Sequence, residues 1–138
     1  MSKDYKYYSD LAKRMTCRIE KNDKRYNEFK KFKKKYKFRI EETWNLNYEM
    51  ILWLLPRLAY FRDNHCGIPS SLCEYDASGN FINEQEAVKK WRKILNLMLR
   101  GFEVYVNTCF DLEIEDSDRK KIDIAFRYLK EYFDNLWD

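Results

Sequence analysis

Residues 50–55 read Met-Ile-Leu-Trp-Leu-Leu, a run of six apolar side chains. A helix that contains such a run is apolar around nearly its whole circumference, which is typical of a helix buried on all sides. Asn45, a residue type favoured at helix N-caps, stands shortly before the run, and the apolar spacing continues to Phe61. We therefore predict a central, buried helix that begins after Asn45 and ends near Asn64.

Two more helices are predicted on the C-terminal side of this run. One opens at Asn83 with a capping-box pattern, since a glutamate follows three positions later, and it contains Gly101, where another helix can approach closely. The other begins near Ser117, after five carboxylates within residues 111–118. Residues 65–82 are predicted to form a loop that is long for a compact domain.

An N-terminal helix is predicted over residues 8–36, with a break near Asn22 and Asp23. Sparse turn residues, three Gly and two Pro, argue against an all-β fold. The predicted fold class is all-α, a small bundle of about four helices with a long basic N-terminal helix or arm at residues 1–39 and a helical body at residues 40–138. The arm either lies on the body or extends away from it. Its apolar positions follow helical spacing: Leu11, Met15, Ile19, Tyr26, Phe29, Phe32 and Tyr36.

Charge is divided unevenly between these two parts. Residues 1–39 hold fifteen Lys and Arg against five Asp and Glu, whereas residues 40–138 hold twelve against eighteen. Cations neutralise phosphates, and aromatic faces stack on unpaired bases, so a basic and aromatic segment favours single-stranded nucleic acid. The densest such segment is residues 30–39, and its predicted binding residues are Lys30, Lys31, Lys33, Lys34, Lys35, Tyr36, Lys37 and Arg39.

A second interpretation of the same segment stays open. Because its aromatic residues recur at helical spacing, they are equally suited to packing while the lysines face water. The basic face also suits the acidic body of the same chain or an acidic partner protein.

Catalytic and metal-binding patterns are weak throughout the chain. His65 is the single histidine, and its spacing from Cys66 and Cys73 matches no common zinc module. Glycine-rich phosphate-binding motifs are absent from the sequence. We therefore predict a protein that is not an enzyme and that holds neither metal nor cofactor. Without an apolar run of about 20 residues or an apolar leader, we also expect a cytoplasmic location and no membrane contact.

Five short motifs, in this order, resemble a group of small helical proteins of unknown role from large tailed bacteriophages and prophages. They are Trp-Asn-Leu-Asn at 44–47, Leu-Pro-Arg-Leu at 55–58, Gly-Ile-Pro at 67–69, the segment from Trp91 to Glu103, and Tyr-Phe-Asp-Asn-Leu-Trp at 132–137. The resemblance covers residues 43–138 and implies a phage origin and a helical body, but no activity. Asn47 stands where the pattern usually has Asp. Trp137 is predicted to dock into the core, because burial of an indole is strongly favourable.

Three functions are consistent with these observations. The first is a phage-type inhibitor that binds a host defence nucleoprotein, as an anti-CRISPR protein does, with the basic arm on RNA or on a protein–RNA complex. Its partner would be a host effector protein or ribonucleoprotein, including a CRISPR effector with guide RNA, or single-stranded RNA itself. The second is a nucleic-acid-binding accessory protein of phage replication or transcription. The third is a virion or assembly protein.

Overall fold

The structure, a computed structural model, describes residues 4–137, and in this range the chain forms five α-helices. The predicted all-α class is confirmed, with one helix more than expected. Short 3₁₀ turns occupy Ile40–Thr43, Ser70–Leu72 and Phe133–Asn135. The α-helices are α1 (Asp4–Met15), α2 (Tyr26–Tyr36), α3 (Leu46–Asn64), α4 (Glu84–Thr108) and α5 (Asp116–Tyr132).

Helix α3 contains the apolar run at residues 50–55 and packs against both α1 and α4, while α4 also packs against α5. Its bounds agree with the sequence prediction, but Met50 and Trp53 within the run are exposed, so α3 is not buried on all sides. The largest fully buried side chains come from α3 and α4: Leu52, Leu55, Trp91, Leu95, Met98, Leu99, Phe102 and Val106.

Gly101 marks the closest approach of α4 and α5. A Cβ atom at this position would overlap the backbone carbonyl oxygen of Lys121 and the side chain of Ala125, both in α5. The predicted role of this glycine in helix approach is therefore confirmed.

The predicted long helix over residues 8–36 is wrong, because residues 16–25 are not helical and separate α1 from α2. Hydrogen bonds from other segments satisfy the backbone there: the carboxylate of Glu49 accepts from the amide of Cys17 at 2.7 Å. Asp23, at the predicted break, accepts from the amide of Arg25 at 2.8 Å and from its guanidinium at 2.9 Å. Short polar side chains that bond nearby backbone compete with helix formation.

Helix α1 lies on the body rather than extending away from it. Tyr8 and Leu11 are buried in the same core cluster as the α3 and α4 side chains. The hydroxyl of Tyr8 donates to Glu103 of α4 at 3.0 Å. The division into residues 1–39 and 40–138 stays a prediction, with α1 joined to the packing of the second part.

The loop at residues 65–82 is held by Asn83. Its side chain does not cap α4 as predicted; its Oδ1 accepts from the amide of Glu74 at 2.7 Å and its Nδ2 donates to the carbonyl of Leu72 at 3.0 Å. Farther along, Tyr75 and Phe81 form an antiparallel bridge. Asn83, which was predicted to cap α4, therefore anchors the loop instead.

The predicted burial of Trp137 is wrong. Its indole is exposed, whereas the preceding Leu136 packs against the core. The short 3₁₀ turn after α5 directs the chain so that Leu136, rather than Trp137, meets the apolar cluster.

Candidate nucleic-acid interface

Helix α2 carries most of the predicted binding residues and lies at the surface along its whole length. None of its eleven residues is buried. It contacts the rest of the chain at the turn Ile40–Thr43. The helix ends at Tyr36 and is followed by Lys37, which adopts a left-handed conformation with φ of 67° and whose amide donates to the carbonyl of Lys33.

The lysine side chains of this segment are exposed and are not paired with acids. Within residues 4–137, the six lysines at positions 30, 31, 33, 34, 35 and 37 form no ion pair with a carboxylate. The structure therefore favours the solvated arrangement of these cations over neutralisation by the acidic part of the same chain. Six uncompensated charges this close together produce a positive potential that attracts a polyanion.

Aromatic rings lie among these cations. Phe32 contacts Tyr36 with ring centroids 4.6 Å apart, and Phe38 at 5.2 Å in an edge-to-face arrangement. The ammonium group of Lys35 lies 4.9 Å from the centre of the exposed Tyr36 ring. Phe29 reaches Trp44 at 6.1 Å. These rings pack against one another outside the main core, so part of the aromatic surface stays accessible.

A groove with a volume of about 790 Å³ runs between α2 and residues 18–19. Tyr26 and Phe29 supply aromatic surface to it, and Ile19 supplies aliphatic surface. Its lining also includes five basic side chains: Arg18, Lys30, Lys31, Lys33 and Lys34, together with the inward-facing Arg39. Cations beside apolar and aromatic surface match the two needs of a single-stranded nucleic acid, phosphate neutralisation and base stacking.

Arg39 differs from the other predicted residues because its guanidinium is used within the fold. It donates to the carbonyl of Cys17 at 2.6 Å and to the hydroxyl of Thr16 at 2.7 Å, and it pairs with Glu42 at 3.1 Å. The hydroxyl of Thr16 in turn donates to Glu49 at 2.6 Å. These bonds tie the chain after α2 to the end of α1 and to α3, so Arg39 positions the groove.

Six residues that line the groove were missing from the predicted binding set, and they include one cation and two aromatic residues: Arg18, Ile19, Tyr26, Asn27, Phe29 and Glu41. The two aromatic residues stand in the helical stripe but outside the lysine-rich segment. Arg18 reaches the groove because the chain folds back between α1 and α2, and the break predicted near Asn22 and Asp23 does not specify the direction in which the chain turns. Arg25 supports the same region, with its guanidinium 5.4 Å from the ring centre of Phe29. Hydrogen bonds from its guanidinium and its amide to Asp23 lower the pKa of that carboxyl to about 2.

The remaining observations concern metal binding, the single histidine and the membrane. Residues 4–137 contain no group of three or more His, Cys, Asp or Glu side chains placed to hold a metal ion. The Nδ1 atom of His65 lies 2.8 Å from the carbonyl oxygen of Phe61, so the ring is engaged in capping α3. Among these residues, no helix combines the length and apolar character needed to cross a bilayer.

Comparisons with known proteins give no family for this chain. No protein-family model, no curated protein and no solved structure matches it. The similarity of residues 43–138 to small phage proteins therefore stays a prediction.

Proposed function

We propose that this protein is a non-enzymatic binding protein that contacts single-stranded RNA, alone or within a protein–RNA complex, through α2 and the adjoining groove. The observation that carries the proposal is the row of unpaired lysines on α2 beside the aromatic surface of Tyr26 and Phe29. Lys30, Lys33 and Lys34 stand three and four residues apart, which places them on neighbouring positions of one helix face. Phosphates bind along that face, and unpaired bases stack in the groove.

Aromatic surface in the groove favours nucleic acid over an acidic protein as the ligand. An acidic protein surface needs only cations, whereas bases gain about 1–3 kcal/mol each from stacking on aromatic side chains. Single-stranded RNA presents such unpaired bases, while a duplex keeps its bases stacked internally.

The test is a fluorescence titration of full-length protein against a labelled single-stranded RNA over a salt series. The variant Lys30→Glu/Lys33→Glu/Lys34→Glu reverses three groove cations. The matched control, Lys89→Glu/Lys90→Glu/Lys93→Glu, reverses three exposed lysines of α4 and changes the net charge equally. A parallel Tyr26→Ala variant tests stacking without a change of charge.

We expect the α2 variant to lose most of the affinity and to show a salt slope smaller by about 2, since each single-strand phosphate contact contributes about 0.7. The α4 control should bind much more tightly than the α2 variant. Tyr26→Ala should weaken binding while leaving the salt slope unchanged. Equal binding by the two triple variants would show that net charge, and not this interface, attracts RNA.

We propose further that the RNA is bound within a host defence ribonucleoprotein, in the manner of an anti-CRISPR inhibitor. The support is that the basic α2 surface coexists with a separate exposed acidic stretch at residues 111–118, so one small chain presents both signs of charge. The assay is target cleavage by a guide-loaded, RNA-guided nuclease with and without the protein. Inhibition by the parent protein that is lost in Lys30→Glu/Lys33→Glu/Lys34→Glu supports binding within such a ribonucleoprotein. RNA binding without inhibition of any such nuclease tested supports an accessory role in phage replication or transcription instead.

A further inference from the structure

A second groove, with a volume of about 630 Å³, runs along one face of α3. Ala12 and Thr16 of the α1 region form one wall, and Phe126, Leu129 and Phe133 of the α5 region form the other. Met50, Trp53 and Leu54 line it from α3. It therefore lies between two helices that flank α3, and most of its surface is apolar.

Several large apolar side chains of this groove are exposed to solvent. Met50 is 60% exposed, Trp53 is 58% exposed and Phe133 is 65% exposed. Single exposed apolar residues are common on protein surfaces, but a contiguous set of large ones marks an interaction site. The predicted burial of residues 50–55 fails at Met50 and Trp53 because their face of α3 is uncovered by other helices of the chain.

Four cations and two acids line this groove, and both acids are already engaged within the fold. Arg18 and Arg57 line it without a carboxylate partner within residues 4–137, and Lys13 reaches Asp10 only at 3.9 Å. The guanidinium of Arg57 lies 4.2 Å from the ring centre of Trp53, so a cation borders the apolar surface directly. The acids of the lining, Glu42 and Glu49, are already bonded to Arg39, Thr16 and the amide of Cys17.

We propose that this groove binds an amphipathic helix of a partner protein, with an apolar face flanked by acidic residues. An amphipathic helix inserts apolar side chains at positions i, i+3 or i+4 and i+7 into a groove between helices, and the present groove has that form. Acidic flanks would pair with Arg18, Arg57 and Lys13. A second copy docked symmetrically through this same groove fits less well, because it would bring the same basic rim against itself, and like charges across an interface oppose association. Arg18 borders both grooves, but Met50, Trp53 and Arg57 line only this one, so the proposal rests on side chains that RNA binding by α2 does not use.

The test measures binding of labelled 18-residue peptides to the full-length protein by fluorescence anisotropy. The first peptides are amphipathic helices with Leu, Met or Phe on one face and Glu on the flanks. Matched peptides replace Glu by Lys, and a third set replaces the apolar residues by Ser. Two protein variants are compared: Met50→Ala/Trp53→Ala within the groove, and Val88→Ala/Leu112→Ala, which removes exposed apolar side chains outside it. Sedimentation of the protein alone reports self-association.

We expect at least one acidic peptide to bind at least about tenfold more tightly than its Lys counterpart and its Ser counterpart. Met50→Ala/Trp53→Ala should weaken this binding at least about tenfold, because buried aromatic anchors dominate such interfaces. The Val88→Ala/Leu112→Ala control should bind as the parent does, and Arg57→Glu should reduce the preference for Glu over Lys. Absence of binding by every acidic peptide, equal binding of the Lys peptides, or unchanged binding by the groove variant would overturn the proposal. Self-association that Met50→Ala/Trp53→Ala abolishes would overturn it too, by assigning the groove to a second copy.

Discussion

Helices α2 and α4 both carry aromatic residues at helical spacing, yet they occupy opposite environments. Nine residues of α4 are buried, including Trp91 and Phe102, whereas α2 has no buried residue. The difference arises from what separates the aromatic residues. In α4 they alternate with aliphatic residues and with Gly101, which lets α5 approach, while in α2 five of eleven residues are lysine. Aromatic periodicity predicts a helix, but the residues between the rings decide whether it is covered.

The largest expected difference between the two helices is in the stability lost when one aromatic ring of each is replaced by alanine. Phe102→Ala in α4 should lower the free energy of unfolding by about 3–5 kcal/mol, because Phe102 is fully buried and contacts the ring of Phe126. Phe32→Ala in α2 should lower it by less than about 1 kcal/mol, since its ring contacts only neighbours at the surface. Urea denaturation measures both. Equal losses would mean that α2 belongs to the cooperative core.

The buried ion pairs at the end of α3 give the next largest expected effect. Asp63, whose side chain is 3% exposed, pairs with Arg62 at 3.0 Å and with Arg92 at 2.9 Å. Asp63→Asn should cost about 2–3 kcal/mol of unfolding free energy, because the buried guanidinium of Arg62 would lose one charged partner while it keeps another, Asp4 at 2.9 Å. The exposed pair Arg25–Asp23 beside α2 should contribute far less, so Asp23→Asn serves as the control.

The ion pairs of Asp63 also predict a pH dependence of stability. Burial alone raises the pKa of Asp63, but the ion pairs with Arg62 and Arg92 outweigh burial and leave this pKa below its usual value. A carboxyl with a lowered pKa stabilises the folded state above its unfolded pKa, near 4, and this contribution is lost as the pH falls through the lowered value. The stability difference between parent and Asp63→Asn should therefore be constant from pH 7 to 5 and shrink below pH 4. A difference that grows on acidification would contradict this assignment.

Gly101→Ala tests the close approach of α4 and α5. Replacement of glycine by alanine inside a helix normally stabilises it by about 1 kcal/mol. Here the new methyl group would overlap the carbonyl of Lys121 and the side chain of Ala125, so the net effect should be a loss of about 2 kcal/mol. Asn107→Ala, at an exposed position of the same helix, should change stability by less than about 0.5 kcal/mol. A stabilised Gly101→Ala variant would show that the two helices are not held this closely.

Much of the body could be predicted from sequence because its signals are local. Helix α3 begins and ends at the predicted residues, and α4 and α5 begin within one residue of prediction, since apolar periodicity is a local signal. Neither Asn45 nor Asn83 caps its helix with its side chain. The N-terminal third differs. Its apolar spacing continues past Met15, but bonds from Arg39 and Glu49, far away in sequence, satisfy the carbonyl and the amide of Cys17 and favour a reversal.

The candidate interface also has a part that local sequence predicts and a part that depends on tertiary contacts. The lysines from Lys30 to Lys37 were predicted from charge density alone, and the structure leaves them exposed. Arg39 belongs to the same run of charges, yet it faces inward, since carbonyl and hydroxyl acceptors meet it only after the chain folds back. Arg18 enters the groove by that same reversal. Local composition thus indicates where cations concentrate, whereas tertiary bonds decide which of them remain available to a ligand.

The smallest expected effect is that of Trp137→Ala, and Trp91→Ala serves as its buried counterpart. Trp91 is buried in α4, and its replacement by alanine should cost about 3–5 kcal/mol of unfolding free energy. Trp137 is 72% exposed, and Trp137→Ala should cost less than about 0.5 kcal/mol, because the neighbouring Leu136 makes the contact with the core. Thermal and urea denaturation of the two single variants give the comparison directly. A loss above about 2 kcal/mol for Trp137→Ala would place its indole in the core, as hydrophobicity alone predicts. Hydrophobicity does not report the direction of the chain, which the final 3₁₀ turn sets so that Leu136 faces the core and Trp137 faces solvent.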